Sequence, residues 1–417
     1  MSAPVTGLGA GRHVAAGDRP AASVTSVHEL TTADAAKVRG VLTSVPGAST
    51  VVCLMHPRQD VTHHALVPAL LGAGAAVWTQ QPRSVNNDIA LIHEQTLLDA
   101  AAGMTFLREQ GFDSIVTLGH SGGGTLYAFY LEQAGLPPAE RLSSTPAGRP
   151  TGLADAELPM ADGAIFLAPH LGQGRLLLGC IDPSVTDEAD PLSVRRELYA
   201  FDPGNGFAEP PASAHYSQAF IQEYRAAQRE RVARIDAVAR QHLLRAAEAR
   251  DRHRRTGLAA DRREAIGPRI ITVYRTDADP RTVDLSLDPN ERPYGSVFGR
   301  RPDLTNHGLV GFGRLSTAEA WLSTWSGLSS NADFIRCAPR VTVPVLFIEL
   351  TGDQAAFPDD TRSMVDSLGA ADLTHVAVRG THFGGPIAKG EPAGHDLAGH
   401  QIRAWLEKRH GLAPPSP

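Results

Sequence analysis

The stretch LGHSGGGTLYAF, residues 118–129, sets one serine among glycines where an apolar run gives way to a helix-like pattern. Gly119-His120-Ser121-Gly122-Gly123 fits G-x-S-x-G, a motif that carries meaning only when a strand precedes it and a helix follows. Both neighbours are expected here. Ser114-Ile-Val-Thr-Leu118 is a short, β-branched apolar run, and residues 122–134 read as a helix. A serine on such a turn is held in a strained backbone conformation, and small neighbours prevent collisions with the flanking elements. Gly119 and Gly123 occupy those neighbouring positions, while Gly122 would open the helix with its N–H aimed where an oxyanion could develop. A glycine-rich turn that binds phosphate or merely packs is the competing reading of the motif taken alone.

Strands alternate with helices on both sides of this turn. Short strands are expected near 24–30 and 38–43, a buried strand at 49–55, a helix at 62–72 and a strand at 75–79. A helix over 88–109 follows from Ile89, Ile92, Leu97, Leu98, Ala101 and Met104 at helical spacing. Residues 163–168 are one more buried-strand candidate. This alternation implies a parallel sheet with helices on both faces.

The rhythm breaks over 171–338, a segment rich in Pro, Gly and Arg with one long helix expected from 212 to 255. Phe220, Tyr224, Val232, Ile235, Ala239, Leu243 and Ala246 fall near one face of it. Its ten arginines between Arg225 and Arg255 are diluted by Glu230, Asp236, Glu248 and Asp251, which reads as a solvated outer face rather than a nucleic-acid-binding helix. The α/β rhythm resumes with strands at 343–350 and 373–378 and helices at 358–368 and 395–408. The chain therefore divides into a first core part (1–170), a cap or lid insertion (171–338) and a second core part (339–417). The tail GLAPPSP, 411–417, reads as disordered.

Composition bounds the function. Among 417 residues, 39 basic and 45 acidic side chains leave a formal charge of −6, the opposite of a nucleic-acid binder's basic surplus. Cys53, Cys180 and Cys337 lie far apart without metal-ligand spacing, and their odd number leaves at least one unpaired, which favours a reducing compartment. The first twenty residues hold no continuous apolar stretch, and no later segment approaches the ~20 apolar residues of a membrane span. A soluble, cytoplasmic protein without a membrane partner is the expectation.

Two further residues join Ser121. Thr351-Gly352-Asp353-Gln354 follows the strand at 343–350, and Arg379-Gly380-Thr381-His382-Phe383 follows the strand at 373–378. The strand before them ends in Ala168-Pro169-His170, with no carboxylate. Serine, acid and histidine, each after a different strand and in that order, form the pattern of a hydrolase triad.

With GHSGG, TGDQ and GTHF in this order, the chain resembles the α/β-hydrolase superfamily over roughly residues 24–170 and 339–410. The resemblance implies an α/β-hydrolase fold: a mostly parallel central sheet flanked by helices, with a largely helical cap insertion. It implies Ser121 as nucleophile, His382 as general base and acid, and Asp353 as the group that orients the imidazole. The chain departs from the superfamily in one loop. Where His-Gly is common after the strand at 49–55, this sequence reads His56-Pro57-Arg58-Gln59, and proline has no N–H to donate. Arg58 is therefore expected to complete the oxyanion hole through its backbone, with Gly122 as the first donor. The alternative is that Arg58 faces solvent and another amide serves.

Substrate contacts are expected from His56 and from His170 at the rim, and from Trp321 and Trp325, which would wall a pocket or pack the cap on the core. His63 and His64 would point about 100° apart on a helix and so are not read as metal ligands. His120 is read as a packing residue and Glu94 as facing solvent or a local ion pair. No dinucleotide fingerprint or Walker loop appears, and neither cofactor nor metal is implied. The expected activity is serine hydrolysis of a carboxylic ester or related small-molecule acyl substrate. The rivals are C–C cleavage of a β-diketone or acyl transfer by the same triad, and a ligand-binding protein on a hydrolase scaffold. The competing expectation for the insertion is an oligomerisation arm of a homo-oligomer.

Overall fold

Residues 18–412 are described by a computed structural model; the expectations for residues 1–17 and for the tail at 413–417 lie outside the described residues. Every residue of β3 (Thr50–Met55) is buried. Side chains alternate across a strand, so a strand covered on both faces must be apolar throughout. Val51, Cys53 and Met55 accordingly join one core, and Val52 and Leu54 the other. The same division runs through β4 (Ala76–Gln80), β5 (Ser114–His120), β6 (Gly163–Leu167) and β9 (Val345–Gly352). Helices α2 (His93–Glu109) and α3 (Gly122–Ala134) cover the first face with Leu97, Met104, Leu126 and Phe129. The second is covered by α1 (Val67–Gly72) and the C-terminal helix α8 (Gly394–His410), through Leu70, Leu71, Ile402 and Trp405.

With β1 (Val24–Thr31), β2 (Lys37–Ser44) and β10 (Leu373–Thr381), the sheet has the order β1-β2-β4-β3-β5-β6-β9-β10. From β4 to β10 all neighbours are parallel, whereas β2 runs antiparallel to both β1 and β4. The sequence reading did not distinguish these two strands from the rest. Thr32 to Ala36 closes a tight turn between them, and so short a connection permits only an antiparallel hairpin.

Between β6 and β9 the chain adds no strand to this sheet. It forms α4 (Gln173–Cys180), α5 (Gln218–Thr256), α6 (Ala259–Ile266) and a two-stranded antiparallel sheet of β7 (Ile270–Thr272) and β8 (Leu315–Thr317). These three-residue strands are too short to leave a periodic signal. The long helix starts six residues later than its spacing suggested. Ser217 Oγ caps it by accepting from the Phe220 N–H at 3.2 Å, while the amides of Ala214 and Tyr216 are held upstream by Val283 O and Asp284. The segment has apolar clusters of its own, one around Leu177, Val232, Ile235, Trp321 and Trp325, another around Phe201, Phe220 and Tyr224.

Three expectations about exposed charge are corrected. Glu94 does not face solvent: it is wholly buried, accepting from Ser323 Oγ at 2.6 Å and Asn331 Nδ2 at 2.9 Å, because residues 321–331 lie over the first turn of α2. Burial holds its carboxyl above the usual range. Arg231 on α5 is also buried, donating to Glu188 and to the carbonyls of Asp182 and Tyr274. Asp236, read as part of the same solvated face, accepts instead from Trp321 Nε1 at 2.7 Å and Ser326 Oγ at 3.0 Å. The three cysteines are buried and unpaired. Among the described residues no helix is long and apolar enough to cross a membrane.

Candidate active site

Parallel strands deliver their following loops to one edge of the sheet, the rim where ligands bind in open α/β folds. His56 follows β3, Ser121 follows β5, His170 follows β6, Asp353 follows β9 and His382 follows β10. Ser121 is the N-cap of α3 with φ +57° and ψ −123°, a conformation costly for a residue with a Cβ. The turn closes tightly enough that a Cβ on Gly119 would stand 2.3 Å from Gly123 O, and one on Gly123 would stand 2.5 Å from Met55 O. Glycine is required at both by backbone contact.

Ser121, His382 and Asp353, spread over 262 positions of sequence, are brought into one hydrogen-bonded run. Ser121 Oγ lies 2.9 Å from His382 Nε2, and His382 Nδ1 lies 2.9 Å from each oxygen of Asp353. The carboxylate leaves Nδ1 as the protonated nitrogen, so Nε2 can accept the serine proton. Oδ1 of Asp353 also accepts the amides of Ala355 at 2.6 Å and Ala356 at 2.9 Å, which fixes the carboxylate independently of the histidine.

His120, read as a packing residue, belongs to a second run. The Leu66 amide donates to His64 Nδ1 at 3.2 Å, so the His64 proton sits on Nε2, which donates to His120 Nδ1 at 2.9 Å. His120 Nε2 then donates to the backbone oxygen of His382 at 2.8 Å. Two rings, one from the turn before α1 and one from the serine turn itself, thus brace the loop that carries His382. Burial lowers the His64 pKa to about 4, keeping its proton on one nitrogen. His64 lies in a turn rather than on the helix expected over 62–72.

The Arg58 amide, expected to point into the site as an oxyanion donor, donates to His56 Nδ1 at 3.1 Å. Its side chain does not face solvent either. Arg58 Nε and Nη2 donate to Asp88 at 2.7 and 2.5 Å, and the guanidinium lies 5.2 Å from the Trp325 ring centroid. Trp321 and Trp325 are themselves fully buried in the apolar cluster of 171–338 and line no cavity at the site, because α4 and α5 close over them. His56, Arg58 and His170 do line it, together with Gln59, Gln173, Leu176, Val297, Phe312, Ala355 and Phe383. Phe383 stands in the GTHF motif beside His382 and Gln59 in the loop after β3, but Gln173, Leu176, Val297, Phe312 and Ala355 carried no sequence signal, since each comes from a loop or helix with no motif of its own.

The space bounded by these residues and Ser121 is about 10 Å³, enough for one water-sized group. A wider groove of about 450 Å³ adjoins it through His170, Leu176 and Ala355 and runs along α4, α5 and α7 (Pro358–Ser367).

No family model matches the chain, and no curated protein matches it. Among solved structures it is similar to the complex of DcsB with its substrate analogue at 12% identity, over 92% of this chain and 99% of that one, with a TM-score of 0.47. An esterase from Pyrococcus furiosus is similar at 10% identity, over 92% and 91%, with a TM-score of 0.44. A fungal esterase from Rhizomucor miehei is similar at 12% identity, over 93% and 82%, with a TM-score of 0.45. The chain's own topology places it more firmly than these distant likenesses. Its eight-stranded, mostly parallel sheet, helices on both faces and serine turn between β5 and α3 are those of the α/β-hydrolase fold.

Proposed function

We propose that this protein is a serine hydrolase that cleaves a carboxylic ester or a related acyl compound through an acyl-enzyme. The observation that carries the reading is the unbroken run from Ser121 Oγ through both nitrogens of His382 to Asp353. Ser121 attacks the acyl carbon and His382 Nε2 takes its proton, then returns it to the leaving group. Water, activated by the same nitrogen, releases the acyl group. The Gly122 amide, first in α3, is an oxyanion donor. This chemistry calls for no cofactor.

Residues 171–338 act as the cap. Leu176, Val297 and Phe312 of that segment face Ser121 across the small cavity, so the insertion excludes water and meets the acyl or leaving group. A space for one water does not hold an acyl chain. Substrate therefore approaches along the adjoining groove and displaces part of this cover.

The test is labelling of Ser121 by a fluorophosphonate, with hydrolysis of p-nitrophenyl esters measured in parallel. Ser121→Ala should remove both labelling and turnover. Equal turnover in a folded Ser121→Ala protein would sink the reading. Product analysis with β-diketones and with acyl acceptors separates ester hydrolysis from C–C cleavage and acyl transfer.

A further inference from the structure

The amides after β3 that could serve as a second oxyanion donor are already engaged. Pro57 has none, and the N–H groups of Arg58 and Gln59 both donate to His56 Nδ1, each at 3.1 Å. A ring nitrogen that accepts two N–H groups carries no proton, so His56 bears its proton on Nε2. His170 repeats the device, with its Nδ1 accepting the Gly172 amide at 3.1 Å. The two backbones thus set both rings to the same tautomer.

Both Nε2 atoms converge on Gly122, the first residue of α3, and both rings line the cavity that Ser121 lines. A Cβ built on Gly122, the residue after the serine, would lie 2.8 Å from His56 Nε2, 3.3 Å from His170 Nε2 and 2.4 Å from Gln173 Nε2. Only glycine leaves this corner open. All three side chains are nearly or wholly buried, and they line the space of about 10 Å³ that Ser121 and His382 also bound. Among the described residues no carboxylate lines that space. Burial, with His382 next in effect, lowers the His170 pKa to about 3, so this ring stays neutral throughout the working range.

We propose that the side chains of His56 and His170 are oxyanion donors, replacing the backbone amide that the loop after β3 does not offer. This rests on the hydrolase reading above. When Ser121 Oγ bonds to the acyl carbon, the C=O π pair moves onto the carbonyl oxygen and the serine proton passes to His382 Nε2. The oxygen then accepts from the Gly122 N–H and from His56 and His170 Nε2–H. A neutral imidazole N–H serves here without altering the proton count of the step. The Arg58 and Gln59 amides polarise the His56 ring through Nδ1, which makes its Nε2–H a better donor.

The experiment is the rate of Ser121 phosphonylation by a fluorophosphonate, whose P=O oxygen takes the oxyanion position. His56→Met keeps the volume and removes the donor, and should slow the reaction by about 10²–10³. His56→Gln returns an N–H near the old Nε2 and should recover most of that loss, which a purely structural role would not predict. A folded His56→Met protein that reacts as fast as wild type overturns the inference. If His56→Met does not fold, ¹⁵N spectra of the wild-type imidazoles decide. Nε2–H tautomers at His56 and His170, with proton shifts on phosphonylation, support the proposal; an Nδ1–H tautomer or unmoved protons overturn it. An unreactive wild type overturns the hydrolase reading and this inference with it, whereas a reactive wild type matched by His56→Met overturns this inference alone.

Discussion

His382 Nδ1 stands 2.9 Å from each of the two carboxylate oxygens of Asp353. The carboxylate meets three N–H donors in all, since Ala355 and Ala356 also donate to Oδ1. An asparagine there keeps one acceptor oxygen and must turn an NH₂ toward the ring or toward the amides. Asp353→Asn should therefore lower kcat by a factor on the order of 10⁴ with little change in KM, because the imidazole is left in the wrong tautomer. Steady-state hydrolysis of a p-nitrophenyl ester reads this out. Asp359→Asn and Asp360→Asn should stay near wild type; the reverse pattern would reassign the acid.

Ser121 has a left-handed φ of +57°. A non-glycine residue in a sparsely populated backbone region costs about 1–3 kcal/mol. Ser121→Gly should abolish hydrolysis and raise the unfolding midpoint, while Ser121→Ala abolishes hydrolysis without that gain. Thermal unfolding of the two variants side by side checks this, and a glycine variant less stable than the alanine one would refute stored strain at the turn.

His93 is wholly buried at the start of α2, and neither ring nitrogen has a protein hydrogen-bond partner. Burial lowers its pKa to about 4. The unfolded chain takes up a proton near the ordinary value of about 6.5. Stability from this group is therefore intact above about 6.5 and lost as the pH falls toward 4. His93→Leu should flatten the pH dependence of unfolding between these limits by about 1.4 kcal/mol per pH unit relative to wild type. Urea unfolding at several pH values measures the difference, and parallel curves for the two proteins would contradict it.

Leu176 and Phe312 face the small cavity, whereas Arg234 and Arg245 are exposed on α5. Leu176→Ala and Phe312→Ala should change kcat/KM unequally across esters of increasing acyl length. Arg234→Ala and Arg245→Ala should leave the ratios unchanged. If the cavity variants altered only the mass of the protein in solution, the segment 171–338 would be an assembly arm rather than a cap.

The sheet was legible because its signals are local. β-branched apolar runs marked β3, β5, β6 and β9, and glycines that a tight turn demands marked the serine between β5 and α3. Asp353 and His382 could be chosen because each sits in the loop just past a recognisable strand, and strand ends share one rim. What lies around those three residues depends on segments distant in sequence, and no local pattern encodes it. The Glu94–Ser323 contact joins residues 229 positions apart, so its acid looked like an ordinary surface charge until α2 was covered. Trp321 and Trp325 looked free to line a pocket until α4 and α5 closed on them. The direction of the Arg58 amide follows from where the His56 ring lies, in a corner that only a glycine at position 122 leaves open. Backbone propensity acts over a few residues and is written in order along the chain; side-chain orientation and burial are set by neighbours that only tertiary packing supplies.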